Sequence, residues 1–200
     1  KDKFAKQAYE YIHNQKIEGD ITKVNKEEIP DHDILLAGFP CQAFSLGGRR
    51  EGFSDTRGTM FFEVEKTIKE KKPSLVFLEN VKGLVGHDNG KTLEVILESL
   101  SNQGYKVDFD VLNSKDYGVP QSRERIYIVG KRLGEGESFD TEWDIKDKKN
   151  LVLKRKKELN ENKYIKKFHF EYPQPDNKIR SIEDILEKDV DDKYLLSYDK

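Results

Sequence analysis

The chain has 200 residues, of which 37% are charged and 35% hydrophobic, and its formal net charge is -2. This length suits one domain, or one domain and part of another. The near-neutral charge excludes a generally basic nucleic-acid-binding protein, although a local basic cleft stays compatible with it. The single cysteine, Cys41, excludes an internal disulfide and favours a reducing, cytoplasmic setting.

The hydrophobic pattern predicts alternating helices and strands. Apolar residues spaced three and four apart predict helices at 2–13, 58–72 and 90–103. Short apolar or alternating runs predict strands at 21–24, 33–39, 74–78, 105–112 and 125–130. Residues 43–58 are rich in Gly, Ser and Arg, which predicts a long functional loop. This order predicts an α/β fold, Rossmann-like, with a mainly parallel sheet.

The last third of the chain is more polar. Residues 131–169 are dense in charged side chains, which is typical of a solvated face or a mobile insertion. Pro173 and Pro175 then mark a boundary. The run Ser181-Ile182-Glu183-Asp184 predicts a capping box that opens a short helix with Ile182, Ile185 and Leu186 pointing inward.

Three groups at strand ends can carry chemistry: Cys41, Glu79, and the pair Arg123 and Arg125. Cys41 and Glu79 follow successive strands, so a parallel sheet would bring them to the same edge. A thiolate beside a carboxyl suits nucleophilic attack on an electron-poor ring, with the acid giving that ring a proton. A lone cysteine is also often a small buried apolar residue, and the arginines are also compatible with an ordinary surface. The four histidines show no metal-ligand spacing, so we expect no metal and no Cys–His hydrolase.

Several motifs resemble those of one known family. Gly38-Phe39-Pro40-Cys41-Gln42, Glu79-Asn80-Val81 and Gln121-Ser122-Arg123-Glu124-Arg125-Ile126 are similar to successive signature motifs of the C5-cytosine DNA methyltransferases. Gly19-Asp20-Ile21 matches a further family motif, and the run 116–120 fits the residues that lead up to the paired arginines in the family. The resemblance covers residues 1 to 133 in the family's order. It implies the S-adenosylmethionine-dependent methyltransferase fold and a DNA cytosine-5 methyltransferase of the bacterial restriction–modification type.

The resemblance also implies a role for each matching residue. Cys41 would attack C6 of a cytosine flipped out of the duplex, and Glu79 would protonate N3 of that base or hydrogen-bond to it. Arg123 and Arg125 would hold the substrate. The residues expected around the cofactor S-adenosylmethionine are Asp20, Ile21, Gly38, Pro40 and Met60. The residues expected against DNA are Gln42, Ser45, Arg49, Arg50 and Gln121, most of them in a loop that would close over the duplex.

The resemblance, the charged composition and the two prolines together divide the chain into three expected parts. These are a catalytic core at 1–133, a charged insertion or linker at 134–172, and at 173–200 the start of a segment that leads to a target-recognition region. The family's glycine-rich cofactor turn and its sequence-reading region do not match any residues here, so we expect an isolated fragment of this length to be inactive. Whether the complete enzyme is a monomer or is completed by a second polypeptide stays open. The alternatives are a transfer RNA cytosine-5 methyltransferase with the same motifs, and a non-catalytic nucleic-acid-binding fragment.

Overall fold

The computed structural model describes residues 2–17, 19–40, 60–145, 150–176, 181–188 and 190–191. Its α-helices are α1 (Lys3–His13), α2 (Met60–Lys71), α3 (Lys91–Asn102) and α4 (Leu151–Leu159). Its strands are β1 (Ile34–Gly38), β2 (Leu75–Val81), β3 (Tyr105–Asn113) and β4 (Glu124–Arg132). The three predicted helices and four of the five predicted strands are therefore confirmed. The predicted loop at 43–58 lies outside the described residues.

The four strands form one mixed sheet in the order β1-β2-β4-β3. β1 and β2 run parallel, whereas β4 runs antiparallel to both β2 and β3. The predicted α/β class is confirmed, but the described sheet is mixed rather than mainly parallel. The cause is the connection between β3 and β4, since residues 114–123 contain no α-helix. A parallel return needs a crossover of about a dozen residues or more, which this segment does not provide.

One face of the sheet carries the hydrophobic core. Val76 and Leu78 of β2 alternate with outward residues and are fully buried, as are Ile126 and Ile128 of β4. They form one cluster with buried side chains of α2 and α3, among them Phe61, Ile68, Leu93, Ile96, Leu97 and Leu100. Burying each of these large apolar side chains contributes about 1.5–3 kcal/mol. The cluster gives the ends of β1 and β2 a rigid support.

The predicted strand at 21–24 is wrong, because these residues form a 3-10 turn at Ile21–Lys23. The Asp20 carboxylate accepts hydrogen bonds from the Thr22 amide at 3.1 Å and from the Thr22 hydroxyl at 2.8 Å. A short acidic side chain that bonds to the backbone two residues ahead favours a turn over a strand. Asp20 therefore caps the turn that it begins.

The charged segment packs on the domain core instead of lying wholly in solvent. Lys156 Nζ of α4 lies 2.6 Å from Asp108 Oδ1 of β3, and the same carboxylate accepts a hydrogen bond from the Phe170 amide at 3.0 Å. Burial raises the pKa of Asp108, an effect that the Lys156 ammonium opposes. Four apolar residues of the segment belong to the main cluster: Trp143, Val152, Leu159 and Ile165. The expectation of a solvated face fails for these residues, because buried apolar side chains and ion-paired charges alternate here.

The same segment covers the outer edge of β3. The Val107 amide donates to the Lys166 carbonyl at 2.8 Å, and the Phe168 amide donates back to the Val107 carbonyl at 3.3 Å. Further along, the Phe109 amide donates to the side chain of Asp108 at 2.9 Å, and the Val111 amide donates to that of Asp110 at 2.7 Å. Three successive outward amides of this edge strand therefore all have acceptors.

Two short helices expose apolar side chains. Ser181 opens the 3-10 helix Ile182–Asp184 with the predicted capping box, which is confirmed. Ile182, Ile185 and Leu186 are exposed, however, so the expectation that they point inward is wrong for the described residues. The apolar face of α1 is exposed as well. No described helix combines the length and the apolar character that a bilayer span requires.

Candidate active site

An ion pair between Glu79 and Arg125 lies at the centre of the site. In the antiparallel ladder Val81 pairs with Arg125 and Glu79 pairs with Tyr127, so Glu79 and Arg125 share one face of the sheet. Arg125 Nε lies 2.8 Å from Glu79 Oε1, and both side chains are only partly exposed, at 19% and 35%. The Arg125 guanidinium also donates to the Glu124 carbonyl at 2.8 Å. The guanidinium is therefore fixed while it holds one oxygen of the carboxylate.

The second Glu79 oxygen lies above the end of β1. Gly38 is the register partner of Glu79, and a methyl group placed on Gly38 would lie 3.2 Å from Glu79 Oε2. A side chain at position 38 would therefore crowd the carboxylate. Gly38 precedes Cys41 by three residues, so the chain leaves β1 toward the cysteine right beside Glu79. Cys41 itself lies outside the described residues.

Asn80 holds the main chain just before the cysteine. Its side chain is 2% exposed and points to the core face, where Nδ2 donates to the Phe39 carbonyl at 2.8 Å. Its Oδ1 accepts the Val81 amide at 2.8 Å. Phe39 is buried as well and packs on Phe61, with ring centroids 5.4 Å apart. The residue that enters the Pro40-Cys41 motif is thus held by a buried hydrogen bond and an aromatic contact.

The loop before β4 separates the two arginines. Asn113 Oδ1 accepts the Arg123 amide at 2.9 Å, and Asn113 Nδ2 donates to the Ser122 hydroxyl at 3.2 Å. Ser114 bonds to the loop as well, donating through its hydroxyl to the Gln121 carbonyl. Arg123 and Gln121 are exposed in this loop, whereas Arg125 lies in β4. The structure therefore brings Arg125 to Glu79 and leaves Arg123 facing solvent.

The residues expected around the cofactor belong to three segments that are each linked to the first turn of α2. Met60 begins that helix, and Phe39, which follows Gly38 at the end of β1, packs on Phe61 of the same turn. The turn that carries Asp20 and Ile21 is tied to the same helix through Lys26, whose Nζ lies 2.9 Å from Glu63 Oε2. Asp20 and Ile21 are half-buried.

Several predicted residues cannot be placed. Gln42, Ser45, Arg49 and Arg50 lie outside the described residues, as Cys41 does. Within the described ranges no group of three or more His, Cys, Asp or Glu residues could hold a metal ion.

Sequence reasoning missed the residues that support the site. Asn113 ends β3 and Ser114 follows it, and Asn-Ser is a recognisable turn signal, but the sequence does not say which loop residues they bond. Lys82 was missed too, and its Nζ lies 2.8 Å from Glu124 Oε1, next to Arg125. No sequence pattern pairs these two residues, because they lie 42 positions apart.

Comparison with known proteins agrees with the motifs. The model of the C-5 cytosine-specific DNA methylase family matches residues 1–200. The orphan methyltransferase M.Rho11sI of Bacillus phage rho11s is 47% identical over 206 residues, which cover 100% of this chain and 40% of that protein. The type II methyltransferase M.HhaI of Haemophilus parahaemolyticus is 55% identical over 128 residues, which cover 64% of this chain and 39% of that protein.

Solved structures support the fold. DNMT2 from Spodoptera frugiperda, solved as a mutant, aligns with a TM-score of 0.59 at 21% identity, over 98% of this chain and 53% of that one. The S. pombe Dnmt2 methyltransferase aligns with a TM-score of 0.55 at 20% identity, over 95% and 52%. The chain spans about two-fifths to half the length of the curated relatives it matches. With a family match over its whole length and motifs gathered at one edge of the sheet, the chain belongs to the C-5 cytosine-specific DNA methylases.

Proposed function

We propose that the full-length protein is a DNA cytosine-5 methyltransferase that modifies C5 of a cytosine flipped out of duplex DNA, with S-adenosylmethionine as cosubstrate. The observation that carries this proposal is the 2.8 Å contact of Arg125 with Glu79. Glu79 lies directly opposite Gly38, and Gly38 precedes Cys41 by three residues. A carboxyl held beside the path to a cysteine is the arrangement that covalent attack on a pyrimidine needs. Relatives named as methyltransferases add support.

The chemistry starts with the thiolate of Cys41. It adds to C6 of the cytosine, and Glu79 in its protonated form donates a hydrogen bond or a proton to N3, so negative charge does not build up on the ring. Arg125 holds the Glu79 carboxylate in place and contacts the base or its phosphate, while Arg123 contacts the DNA backbone. Bound S-adenosylmethionine would supply the methyl group that C5 takes up. A base then takes the proton from C5, the N3 proton returns to Glu79, and the C6–sulfur bond breaks, so that Cys41 leaves as the thiolate.

The remaining candidates have binding roles in this proposal. Asp20 and Ile21 would contact the adenine of the cofactor, and the pocket would be completed by Gly38, Pro40 and Met60. The side chains proposed against DNA are Gln42, Ser45, Arg49, Arg50 and Gln121, with the arginines on phosphate oxygens. Such contacts fix the position of the protein on the duplex and make binding depend on salt concentration.

The biological setting is also a proposal. The named relatives include type II methyltransferases, which favours a role in restriction–modification, in the cytoplasm where the DNA substrate is. We also propose that the chain consists of a catalytic core at 1–133, a charged insertion or linker at 134–172, and at 173–200 the start of the segment that leads to the target-recognition region. The oligomeric state, monomer or two polypeptides, follows from measuring the mass of the active species.

A mechanism-based trap tests the proposal. Duplex DNA that contains 5-fluorocytosine should form a covalent adduct with the full-length protein in the presence of S-adenosylmethionine, because fluorine at C5 cannot leave as a proton does. The adduct should survive denaturing electrophoresis, and Cys41→Ser should abolish it, since serine is a far weaker nucleophile at neutral pH. Duplex DNA with ordinary cytosine is the matched control and should leave no stable adduct.

Two other outcomes would change the assignment. An adduct with transfer RNA but not with DNA would move the substrate to RNA while keeping the chemistry. DNA binding without any adduct, from a protein that is folded, would make the chain a non-catalytic nucleic-acid-binding protein and refute the proposal.

A further inference from the structure

Lys26 joins two parts of the candidate cofactor pocket. Its Nζ donates to the Val24 carbonyl at 3.0 Å and also to the Ile21 carbonyl. The same nitrogen lies 2.9 Å from Glu63 Oε2 in the first turn of α2. An ammonium group has three N–H donors, and here all three have an acceptor. The Lys26 side chain is 13% exposed, so the ion pair is largely shielded from water.

The bonded carbonyls belong to the turn that carries Asp20 and Ile21. That turn is a single 3-10 turn of three residues, with Asp20 capping it through Thr22. Such a short turn has few internal hydrogen bonds, so contacts with the rest of the domain decide its position. Lys26 supplies those contacts by linking the turn to α2, where Met60 begins the other wall of the pocket.

We propose that Lys26 is a positioning residue for the cosubstrate, and this inference rests on the proposed function. Lys26 touches neither reacting atom. It holds the Asp20-Ile21 wall at a fixed distance from Met60, so that the adenine enters a preformed slot. Removing Lys26 would take away both side-chain bonds that it makes to the carbonyls of the turn and the link to α2, so cofactor binding would have to order the turn.

A neighbouring lysine provides a matched control. Lys66 Nζ lies 2.8 Å from the other oxygen of the same carboxylate, Glu63 Oε1, but it bonds to no atom of the 20–24 turn and its side chain is 62% exposed. Lys26→Met and Lys66→Met therefore remove the same kind of charge from the same partner. Only Lys26→Met releases the turn.

The experiment measures cosubstrate affinity of the full-length protein by calorimetry, together with steady-state kinetics on duplex DNA. For Lys26→Met we expect Kd and KM for S-adenosylmethionine to rise about tenfold, because a wall of the site loses its preorganisation. We expect kcat at saturating cosubstrate and the Kd for DNA to stay within about twofold, because Cys41, Glu79 and Arg125 are untouched. Lys66→Met should change none of these values.

The outcomes separate the two proposals. The inference is overturned if Lys26→Met leaves the Kd for S-adenosylmethionine unchanged, or if Lys66→Met raises that Kd equally. The proposed function still stands in either case, provided that the wild-type protein forms the covalent adduct. If Lys26→Met is less stable in urea, Lys26→Gln is measured as well, because it keeps a donor toward the carbonyls. A Lys26→Gln affinity between those of wild type and Lys26→Met supports positioning, whereas a loss that follows stability alone overturns it. A wild-type protein that binds no cosubstrate and forms no adduct refutes both.

Discussion

At the scale of single residues, the space above Gly38 sets the geometry of the site. Glu79 Oε2 occupies the position that a side chain on residue 38 would approach to 3.2 Å. This is tighter than an ordinary van der Waals contact, so Gly38→Ala should push the carboxylate away from its 2.8 Å contact with Arg125. We expect the rate constant of methyl transfer to fall about tenfold or more, since a small displacement of a catalytic group costs much in rate. Single-turnover methylation of duplex DNA measures it.

The control for this prediction is Gly83→Ala. A methyl group on Gly83 would meet only the side chain of Val81, at the ordinary distance of 3.9 Å. It tests the general cost of the substitution near the same strand. Equal activity of the two variants would show that the gap above Gly38 has no functional importance.

The sequence predicted which residue types belong to the site, but it did not predict that the two arginines lie in different places. Glu79 and Arg125 were expected in one site, and the structure brings them into contact. Arg123 and Arg125 are two positions apart, which in a continuous strand would place both on one face. Arg123 instead precedes β4, in a loop fixed by Asn113, and faces solvent. That difference depends on a hydrogen bond across ten residues, which no local pattern reports.

At the scale of secondary-structure elements, α4 docks on the turn before α3. Arg155 of α4 donates through Nε to the Val85 carbonyl at 3.0 Å, and its guanidinium lies against Gly90. Gly90 has φ of +88°, and a methyl group there would lie 2.0 Å from Arg155 Cζ. Gly90→Ala should therefore both strain the backbone and expel Arg155.

Gly104→Ala measures the destabilisation that comes from backbone strain alone. Gly104 has nearly the same φ, +91°, but a methyl group on it would meet nothing within 4 Å. We expect Gly90→Ala to lower the free energy of unfolding by about 0.5–1.5 kcal/mol more than Gly104→Ala, because the displaced guanidinium loses its hydrogen bond to the Val85 carbonyl. Urea unfolding of both variants measures the difference. Equal destabilisation would show that Arg155 moves aside without cost.

The charged segment shows where composition misleads. Residues 131–169 were expected to be solvated because Lys, Arg, Glu and Asp dominate them. Lys156 and Lys167 are nevertheless buried, one against Asp108 and the other donating to the carbonyls of Asn162 and Ile165. Long side chains can bury their methylene stems when the charged head finds a partner. Composition gives the number of charged side chains but does not show which of them form buried contacts.

At the scale of the whole molecule, acid should loosen the contact between the charged segment and α3. Glu94 accepts hydrogen bonds from Lys91 Nζ and from Asn162 Nδ2, both at 2.7 Å. Burial alone would raise its pKa, but these hydrogen bonds outweigh burial and hold the pKa of Glu94 below its ordinary value of 4.5. A carboxyl with a lowered folded-state pKa adds stability above its unfolded-state value and loses it as the pH falls through the folded value.

The corresponding test uses Glu94→Gln, which cannot titrate. Its stability deficit relative to wild type should be full near pH 7 and should shrink as the pH falls below about 4.5, measured by urea unfolding. Glu70→Gln, which removes one carboxylate from the exposed surface of α2, is the control for the change in net charge. A Glu94→Gln deficit that stays constant down to about pH 3 would contradict the assignment.

The covered edge of β3 has a consequence for self-association. Exposed strand edges recruit strands from other molecules and so begin aggregation. Here the carboxylates of Asp108 and Asp110 accept hydrogen bonds from the outward amides of Phe109 and Val111, and the Lys166 carbonyl accepts one from the Val107 amide. An incoming strand would have to displace these acceptors and approach two carboxylates. Among the described strands β1 forms the other edge of the sheet, so the β3 side of this sheet is closed to the addition of a further strand.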